Sequence, residues 1–206
     1  MDEITTEAEL AALLGEPRPR VATKARPSLG EIDRAWLAAS PFCLVATSGA
    51  DGSCDVSPKG DPPGFTVVLD DGTIALPERA GNRRADGYRN ILANPHVGLI
   101  HLLPGRGDTL RINGRARLVR DADLLDRMVV QGHRPLLAMV VEIEEVFFHC
   151  AKAFLRSGLW KPETWDPEAV VPKRAQIARE VEGDQRSDAE LEEYYRPENY
   201  SKGLYG

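Results

Sequence analysis

Asn82, Arg83 and Arg84 place an amide beside two guanidinium groups at the start of a predicted helix over residues 83–93. The first turn of a helix exposes unpaired N–H groups and a partial positive charge. The forked donors of arginine match phosphate oxygens, and Asn82 stands where an N-cap residue would stand. Backbone and side chains together would therefore suit a phosphate group. The same residues would also suit an ordinary solvated helix start.

A second polar motif, Ser57-Pro58-Lys59-Gly60-Asp61, closes a predicted strand. Pro58 and Gly60 favour a defined bend, which would aim Ser57 and Lys59 into a pocket. An ordinary hairpin end with a surface lysine is the other interpretation.

A third motif lies on a long predicted strand over residues 109–119. Because side chains alternate along a strand, one face collects the polar residues Arg111, Asn113, Arg115 and Arg117. Gly114 permits another backbone or a flat ring to approach closely. The pattern predicts ligand contacts for Arg111 and Asn113, although a half-exposed strand with a basic outer face explains it as well.

A fourth cluster follows the apolar run over residues 136–150. His149 is followed within twelve residues by Lys152, Arg156 and Trp160, which offer charge and a stacking surface to an aromatic anion.

Other classes of site lack their motifs. The sequence contains no Gly-x-Ser-x-Gly elbow, no Gly-x-Gly-x-x-Gly turn and no Walker loop. The four histidines have no spacing to acids or cysteines that predicts a metal site. We assign no catalytic residue from the sequence.

The composition narrows the class of protein. The chain has 206 residues, 42% of them hydrophobic, which suits one substantial core. A net charge of −6 argues against a general nucleic-acid binder, and no apolar run reaches the roughly 20 residues of a membrane span. Three cysteines without a Cys-x-x-Cys pair, and an acidic N-terminus without signal-peptide features, predict a cytoplasmic protein.

The charge is unevenly placed along the chain. Residues 77–120 hold nine arginines against three acids, whereas residues 180–198 hold eight acids against two arginines. The middle of the chain therefore suits an anion, and the tail suits solvent or a basic surface.

Short apolar runs between turn residues predict about seven strands, at 42–47, 53–58, 65–69, 73–76, 97–103, 109–119 and 136–150. Helical spacing predicts helices at 5–15, 29–39, 83–93 and from Asp121 to near Gly132. Short strands joined by tight turns favour a mainly β barrel or sandwich. We expect an N-terminal helical arm over 1–40, a barrel domain over 41–160 and a charged extension over 161–206.

Three segments in this order carry a resemblance to a known family: DVSPKGDPPGF, LPERAGNRRADGYRNILANPHVGLIHLLPGRGDTLRINGRARL and VVEIEEVFFHCAKAFLRSGLW. Together they resemble the pyridoxamine 5′-phosphate oxidase-like proteins, over about residues 40–160. The resemblance implies a mainly β, FMN-binding split β-barrel with peripheral helices. It also implies a homodimer with flavin mononucleotide (FMN) at the subunit interface.

The resemblance further implies roles for particular residues. Ser57 and Lys59 on the second strand, with Asn82, Arg83 and Arg84 after the fourth, would hold the flavin phosphate. The partner subunit would supply Lys152, Arg156 and Trp160. The tail, NYSKGLYG, lacks the substrate-phosphate motif of the oxidase itself, so the expected activity is that of an FMN oxidoreductase with an unassigned small-molecule substrate.

Four alternatives stay open. The same barrel would serve a deazaflavin (F420), or a haem with His149 as its ligand. The protein would otherwise be a non-catalytic flavin or anion sensor, or an interaction module whose basic strand docks an acidic tail.

Overall fold

The computed structural model describes residues 1–16, 19, 23–81, 83–166 and 171–205. Seven strands lie in this part of the chain: β1 (Phe42–Ser48), β2 (Cys54–Gly60), β3 (Val67–Val68), β4 (Thr73–Pro77), β5 (His96–Leu102), β6 (Thr109–Val119) and β7 (Ala138–His149). The described helices are α1 (Glu7–Leu14), α2 (Glu31–Ala39), α3 (Asp86–Ala93), α4 (Ala122–Asp126), α5 (Lys152–Ser157), α6 (Arg174–Glu180), α7 (Asp188–Tyr194) and α8 (Pro197–Tyr200).

The seven strands form one sheet in the order β2-β1-β5-β6-β7-β4-β3, and every pair is antiparallel. The sheet curves into a split barrel, in which β2 and β3 are the edge strands. The prediction of a mainly β, split-barrel fold with peripheral helices is therefore confirmed. The proposed division of the chain at residues 40 and 160 stays a prediction.

The inner face of the barrel carries the main core. Alternate residues of the central strands are fully buried there, among them Leu99 on β5 and Ile112 on β6. His101 also points inward, and its Nε2 lies 3.2 Å from the hydroxyl of Thr66. Complete burial lowers the pKa of His101 to about 3, so the imidazole is neutral inside the core.

The pairing of β6 with β7 contains a bulge. Asn113 pairs with Glu145 and Gly114 with Ile143, which leaves Glu144 as an extra residue on β7. A side chain at Gly114 would place its Cβ 2.1 Å from the backbone oxygen of Glu142. Only glycine fits at this point, because the two backbones approach so closely.

The outer face of the sheet has a covered half and a bare half. Helix α4 covers Ala75 of β4 and Val140 of β7 with Leu124 and Leu125. The bare half is the outer face of β1, β2 and β5, and its residues are Leu44, Ala46, Val56, Pro58, Gly98 and Ile100.

The arm before the barrel is fixed at Arg26. Its backbone pairs with Val146 of β7, and its guanidinium binds Asp33 of α2 at 2.7 Å. Residues 17, 18 and 20–22 of the predicted N-terminal arm lie outside the described residues.

The predicted boundaries differ most from the structure at three elements. The third strand is shorter than predicted and spans only Val67–Val68. The helix predicted to end near Gly132 ends at Asp126, because the chain turns back where Val130 and His133 pair as an isolated bridge. The helix predicted from residue 83 begins at Asp86. No helix in the described ranges is both long enough and apolar enough to cross a bilayer.

Candidate functional site

A pocket of about 430 Å³ lies in the split of the barrel. Edge strand β2 forms one wall, and the residues between β4 and α3 form the other. A volume of this size falls within the range of roughly 300–1,000 Å³ that small-molecule sites occupy.

The alternation of β2 turns its polar residues toward the pocket. Asp55, Ser57 and Lys59 pair with the buried residues Thr47, Val45 and Cys43 of β1, so they lie on the inner face. Because β2 is an edge strand, its free side offers unpaired backbone N–H and C=O groups. This wall can bind both donor and acceptor groups of a ligand.

Lys59, Glu78 and Tyr88 form a network inside the pocket. The Lys59 ammonium donates to Glu78 Oε2 at 2.7 Å and to the Tyr88 hydroxyl at 3.0 Å. The Tyr88 hydroxyl also donates to Glu78. Burial and the Glu78 carboxylate both raise the pKa of Tyr88, so the phenol keeps its proton. The network therefore presents a charged pair and a neutral phenol.

A second ion pair crosses the split just beyond the end of β2. Asp61 Oδ2 accepts a hydrogen bond from Arg79 Nε at 2.5 Å, and the Asp61 side chain is 1% exposed. Arg79 also donates to the carbonyl of Met128 at 2.7 Å. The arginine therefore ties the pocket wall to the region after α4.

Arg83 and Arg84 line the pocket just before α3. The N-cap of α3 is Ala85, so the predicted cap at Asn82 is wrong for this helix, and Asn82 itself lies outside the described residues. The backbone of Arg83 has a φ of 61°, a value that few residues other than glycine adopt. Arg84 binds Asp86 at 2.5 Å. A short turn, and not the helix itself, presents the two guanidinium groups.

The described lining of the pocket is balanced in charge. Its cations are Lys59, Arg79, Arg83 and Arg84, and its acids are Asp55, Asp61, Glu78 and Asp86. An anionic ligand must therefore replace a carboxylate as the partner of an arginine or bind beside one.

Two predicted residues on β6 lie away from the pocket. Arg111 stacks over the ring of Phe147 at 4.9 Å, and Asn113 donates to Glu145 at 2.9 Å. Both side chains are on the outer face. The Arg111 Nε is buried and has no hydrogen-bond partner among the described residues.

Three predicted residues after β7 also lie outside the pocket of their own chain. Lys152 and Arg156 are exposed on α5. Trp160 stacks on Phe154 at 5.8 Å and donates to the carbonyl of Arg106 at 2.7 Å. Among the predicted residues that the structure describes, Ser57, Lys59, Arg83 and Arg84 come together within one chain.

The sequence interpretation missed Asp61, Glu78, Arg79 and Tyr88 as parts of the site. A signal for Asp61 was present, because it follows Ser57 and Lys59 at the strand period of two. Tyr88 has helical spacing to Ile91, which indicated a core position and gave no sign of its hydrogen bonds to Lys59 and Glu78. No group of three or more metal-ligating side chains occurs in the described ranges.

The fold and the pocket define a split β-barrel with a candidate ligand site at its split. The family model of pyridoxamine 5′-phosphate oxidase matches residues 30–150. The chain belongs to the pyridoxamine 5′-phosphate oxidase family. No curated protein matches it significantly.

Solved structures include several similar folds. A candidate pyridoxamine 5′-phosphate oxidase from Lactobacillus delbrueckii is 25% identical, with a TM-score of 0.47, over 61% of this chain and 99% of that one. An FMN-binding protein from Syntrophomonas wolfei is 14% identical, with a TM-score of 0.44, over 58% and 89%. An F420 reductase is 20% identical, with a TM-score of 0.40, over 59% and 98%.

Proposed function

We propose that this protein binds FMN in the pocket at the split and acts as an oxidoreductase on a small molecule. The observation that carries the proposal is the pocket itself. It joins the free edge of β2 to a turn that presents Arg83 and Arg84, in a chain of the pyridoxamine 5′-phosphate oxidase family.

The residues present fit the parts of the cofactor. Arg83, Arg84 and the Ser57 hydroxyl would hold the phosphate, since guanidinium and hydroxyl groups are good phosphate donors. The Arg84 side chain is 81% exposed, and an incoming phosphate would take the place of Asp86 beside its guanidinium. The free edge of β2 would bind the polar edge of the ring.

Bound flavin would supply the redox chemistry by accepting a hydride or electrons. The protein would orient the ring, keep water from it and hold charge near it. Lys59 is suited to the last role, because its ammonium lies inside the pocket beside Glu78. A cation near a reduced, anionic ring stabilises that state.

We further propose a homodimer that uses the bare half of the outer face. An apolar sheet face of this kind commonly marks a contact with another protein surface. Val56, on this face, is 59% exposed in the single chain. The partner would then bring Lys152, Arg156 and Trp160 toward the cofactor, and Arg111 and Asn113 would lie beside the interface.

The haem alternative assigned the axial ligand to His149, and the described lining of the pocket does not supply it. None of His96, His101, His133 and His149 lies in that lining. A cytoplasmic location is part of the proposal and is supported by the three unpaired cysteines, Cys43, Cys54 and Cys150.

The test is the visible absorption spectrum of the purified full chain, with mass spectrometry of any cofactor released on denaturation. We expect a flavin spectrum and about one FMN per chain, at once or after incubation with FMN. Release of F420 or haem, or a colourless protein that takes up no FMN, would overturn the proposal. Oxidation of NAD(P)H by the FMN-loaded protein would separate an enzyme from a flavin sensor.

A further inference from the structure

Residues 171–205 fold largely upon themselves. Helices α6 and α7 pack through Ala175, Ala178 and Leu191, with Tyr195 against this cluster. Ion pairs such as Arg174–Glu182 also stay within the segment. The segment therefore has its own small core.

Among the described residues, one side chain joins this segment to the barrel through hydrogen bonds and ring contacts. Between described residues, the hydrogen bonds and ring contacts that connect 171–205 to the rest of the chain all involve Tyr205. Its hydroxyl donates to Asp61 Oδ1 at 2.8 Å, and its ring stacks on His133 with centroids 5.7 Å apart. The Arg79 guanidinium lies 5.6 Å from the centre of the ring.

The Tyr205 hydroxyl thereby supplies the second hydrogen bond to the buried carboxylate of Asp61. Arg79 occupies Oδ2 of Asp61 and Tyr205 occupies Oδ1. Hydrogen bonding to Asp61 raises the pKa of Tyr205, so the phenol remains the donor. A buried carboxylate that loses a donor is destabilised, which makes the Asp61–Arg79 pair depend on Tyr205.

Asp61 and Arg79 are also wall residues of the pocket. Asp61 follows β2 and Arg79 follows β4, so their ion pair holds the two sides of the split together. A change at the Tyr205 hydroxyl therefore reaches the pocket through the Asp61 carboxylate.

We propose that residues 171–205 form a strap that regulates access to the pocket, and that Tyr205 holds the strap closed. Closed, the strap keeps Asp61 paired with Arg79 and the split narrow. Released, it lets Arg79 leave Asp61, which widens the split and frees a guanidinium for an anionic ligand. Because coupling between two sites is reciprocal, a ligand that binds Arg79 weakens the docking of Tyr205. This mechanism concerns the pocket and does not depend on which ligand fills it.

The test is hydrogen–deuterium exchange of the full chain, read by mass spectrometry for the wild type, Tyr205→Phe and Tyr200→Phe. Tyr205→Phe removes only the hydroxyl that binds Asp61. We expect exchange to rise about fivefold in peptides covering 58–64, 78–81 and 197–205, the change that one ordinary hydrogen bond carries. Tyr200→Phe is the matched control, since the Tyr200 hydroxyl bonds to no described residue, and the pocket-wall peptides should stay unchanged.

Unchanged exchange over 58–64 and 78–81 in Tyr205→Phe would overturn the strap, as would an equal effect of Tyr200→Phe. A second reading follows FMN release by fluorescence, which Tyr205→Phe should accelerate. A protein that binds no FMN would overturn the proposed function. The exchange result would still decide whether Tyr205 holds the strap closed.

Discussion

Lys59 and Glu78 join the two sides of the barrel across its split. The Lys59 Nζ lies 2.7 Å from Glu78 Oε2, and both side chains are largely shielded from water, with exposures of 18% and 26%. Lys59 comes from edge strand β2 and Glu78 follows β4. The sheet does not hydrogen-bond β2 to β4, so this pair and Asp61–Arg79 bridge a gap that the backbone leaves open.

Breaking the Lys59–Glu78 pair should destabilise the protein. Lys59→Met leaves the Glu78 carboxylate with the Tyr88 hydroxyl as its one remaining side-chain donor among the described residues, and we expect the free energy of unfolding to fall by about 1–3 kcal/mol. Urea unfolding of Lys59→Met, Glu78→Gln and the double variant measures the coupling, which should exceed ~0.5 kcal/mol. The exposed pair Arg117–Glu142, at 3.6 Å, is the control and should show almost none. A coupling as small as that of the control would contradict the bridge.

Arg83→Ala combined with Arg84→Ala should give a folded protein without bound flavin, because the phosphate loses its guanidinium donors. Bound FMN per chain is the measurement. Arg120→Ala with Arg127→Ala makes the same change in charge at exposed positions outside the pocket, and this control should keep its flavin. Normal flavin content in the Arg83/Arg84 variant would show that the phosphate binds elsewhere.

Stability should depend on pH through His101. Burial lowers its pKa from 6.5 to about 3, so between these values the unfolded chain binds a proton that the folded chain does not. The His101 contribution is therefore present above pH 6.5 and lost as the pH falls toward 3, by up to about 1.4 kcal/mol per pH unit. Urea unfolding from pH 7 to 4.5 measures this slope.

The control compares slopes and not absolute stabilities, since replacing a core residue also changes packing. His101→Leu should show a shallower fall than the wild type over this pH range. The exposed His96, replaced by Gln, should leave the slope close to that of the wild type. Equal slopes in all three proteins would mean that the folded state protonates His101 without penalty.

Ile100→Glu should convert the proposed dimer into a monomer. Ile100 lies on the bare half of the outer face, opposite Leu44 of β1, and burying a carboxylate there in a subunit contact is costly. Sedimentation velocity measures the change. Ile32→Glu makes the same substitution on α2, where Ile32 is 74% exposed, and should stay dimeric. A wild-type protein that is monomeric at micromolar concentration would remove the dimer from the proposal.

Much of the barrel could be predicted because its strands are short, apolar and bounded by glycine, aspartate and proline turns. The strand β6 has the predicted bounds of 109 and 119. Ser57 and Lys59 were predicted to face a pocket and both line it, although strand alternation along β2 and not a bend at Pro58 and Gly60 places them there. These features depend on neighbours in the chain, which a sequence displays directly.

The charge of the site could not be predicted in the same way. Counting residues 77–120 gives a strong excess of arginine, whereas the described pocket lining is balanced. Asp55 and Asp61 enter the pocket from the other side of the split. A count of charges within residues 77–120 does not include them. The turn at Arg83 was missed for a similar reason, since a left-handed arginine depends on surrounding contacts and not on its own preference.

The extra residue at Glu144 changes which positions of β7 face the core. Before it the odd-numbered residues Met139 and Val141 point inward, and after it the even-numbered Val146 and Phe148 do. The adjacent Phe147 and Phe148 thereby serve opposite surfaces: one meets Lys24 and Arg111, and the other packs on Trp36. A β7 of the same length without the bulge would turn Phe147 inward and Phe148 outward, so this one extra residue decides which of the two phenylalanines packs in the core.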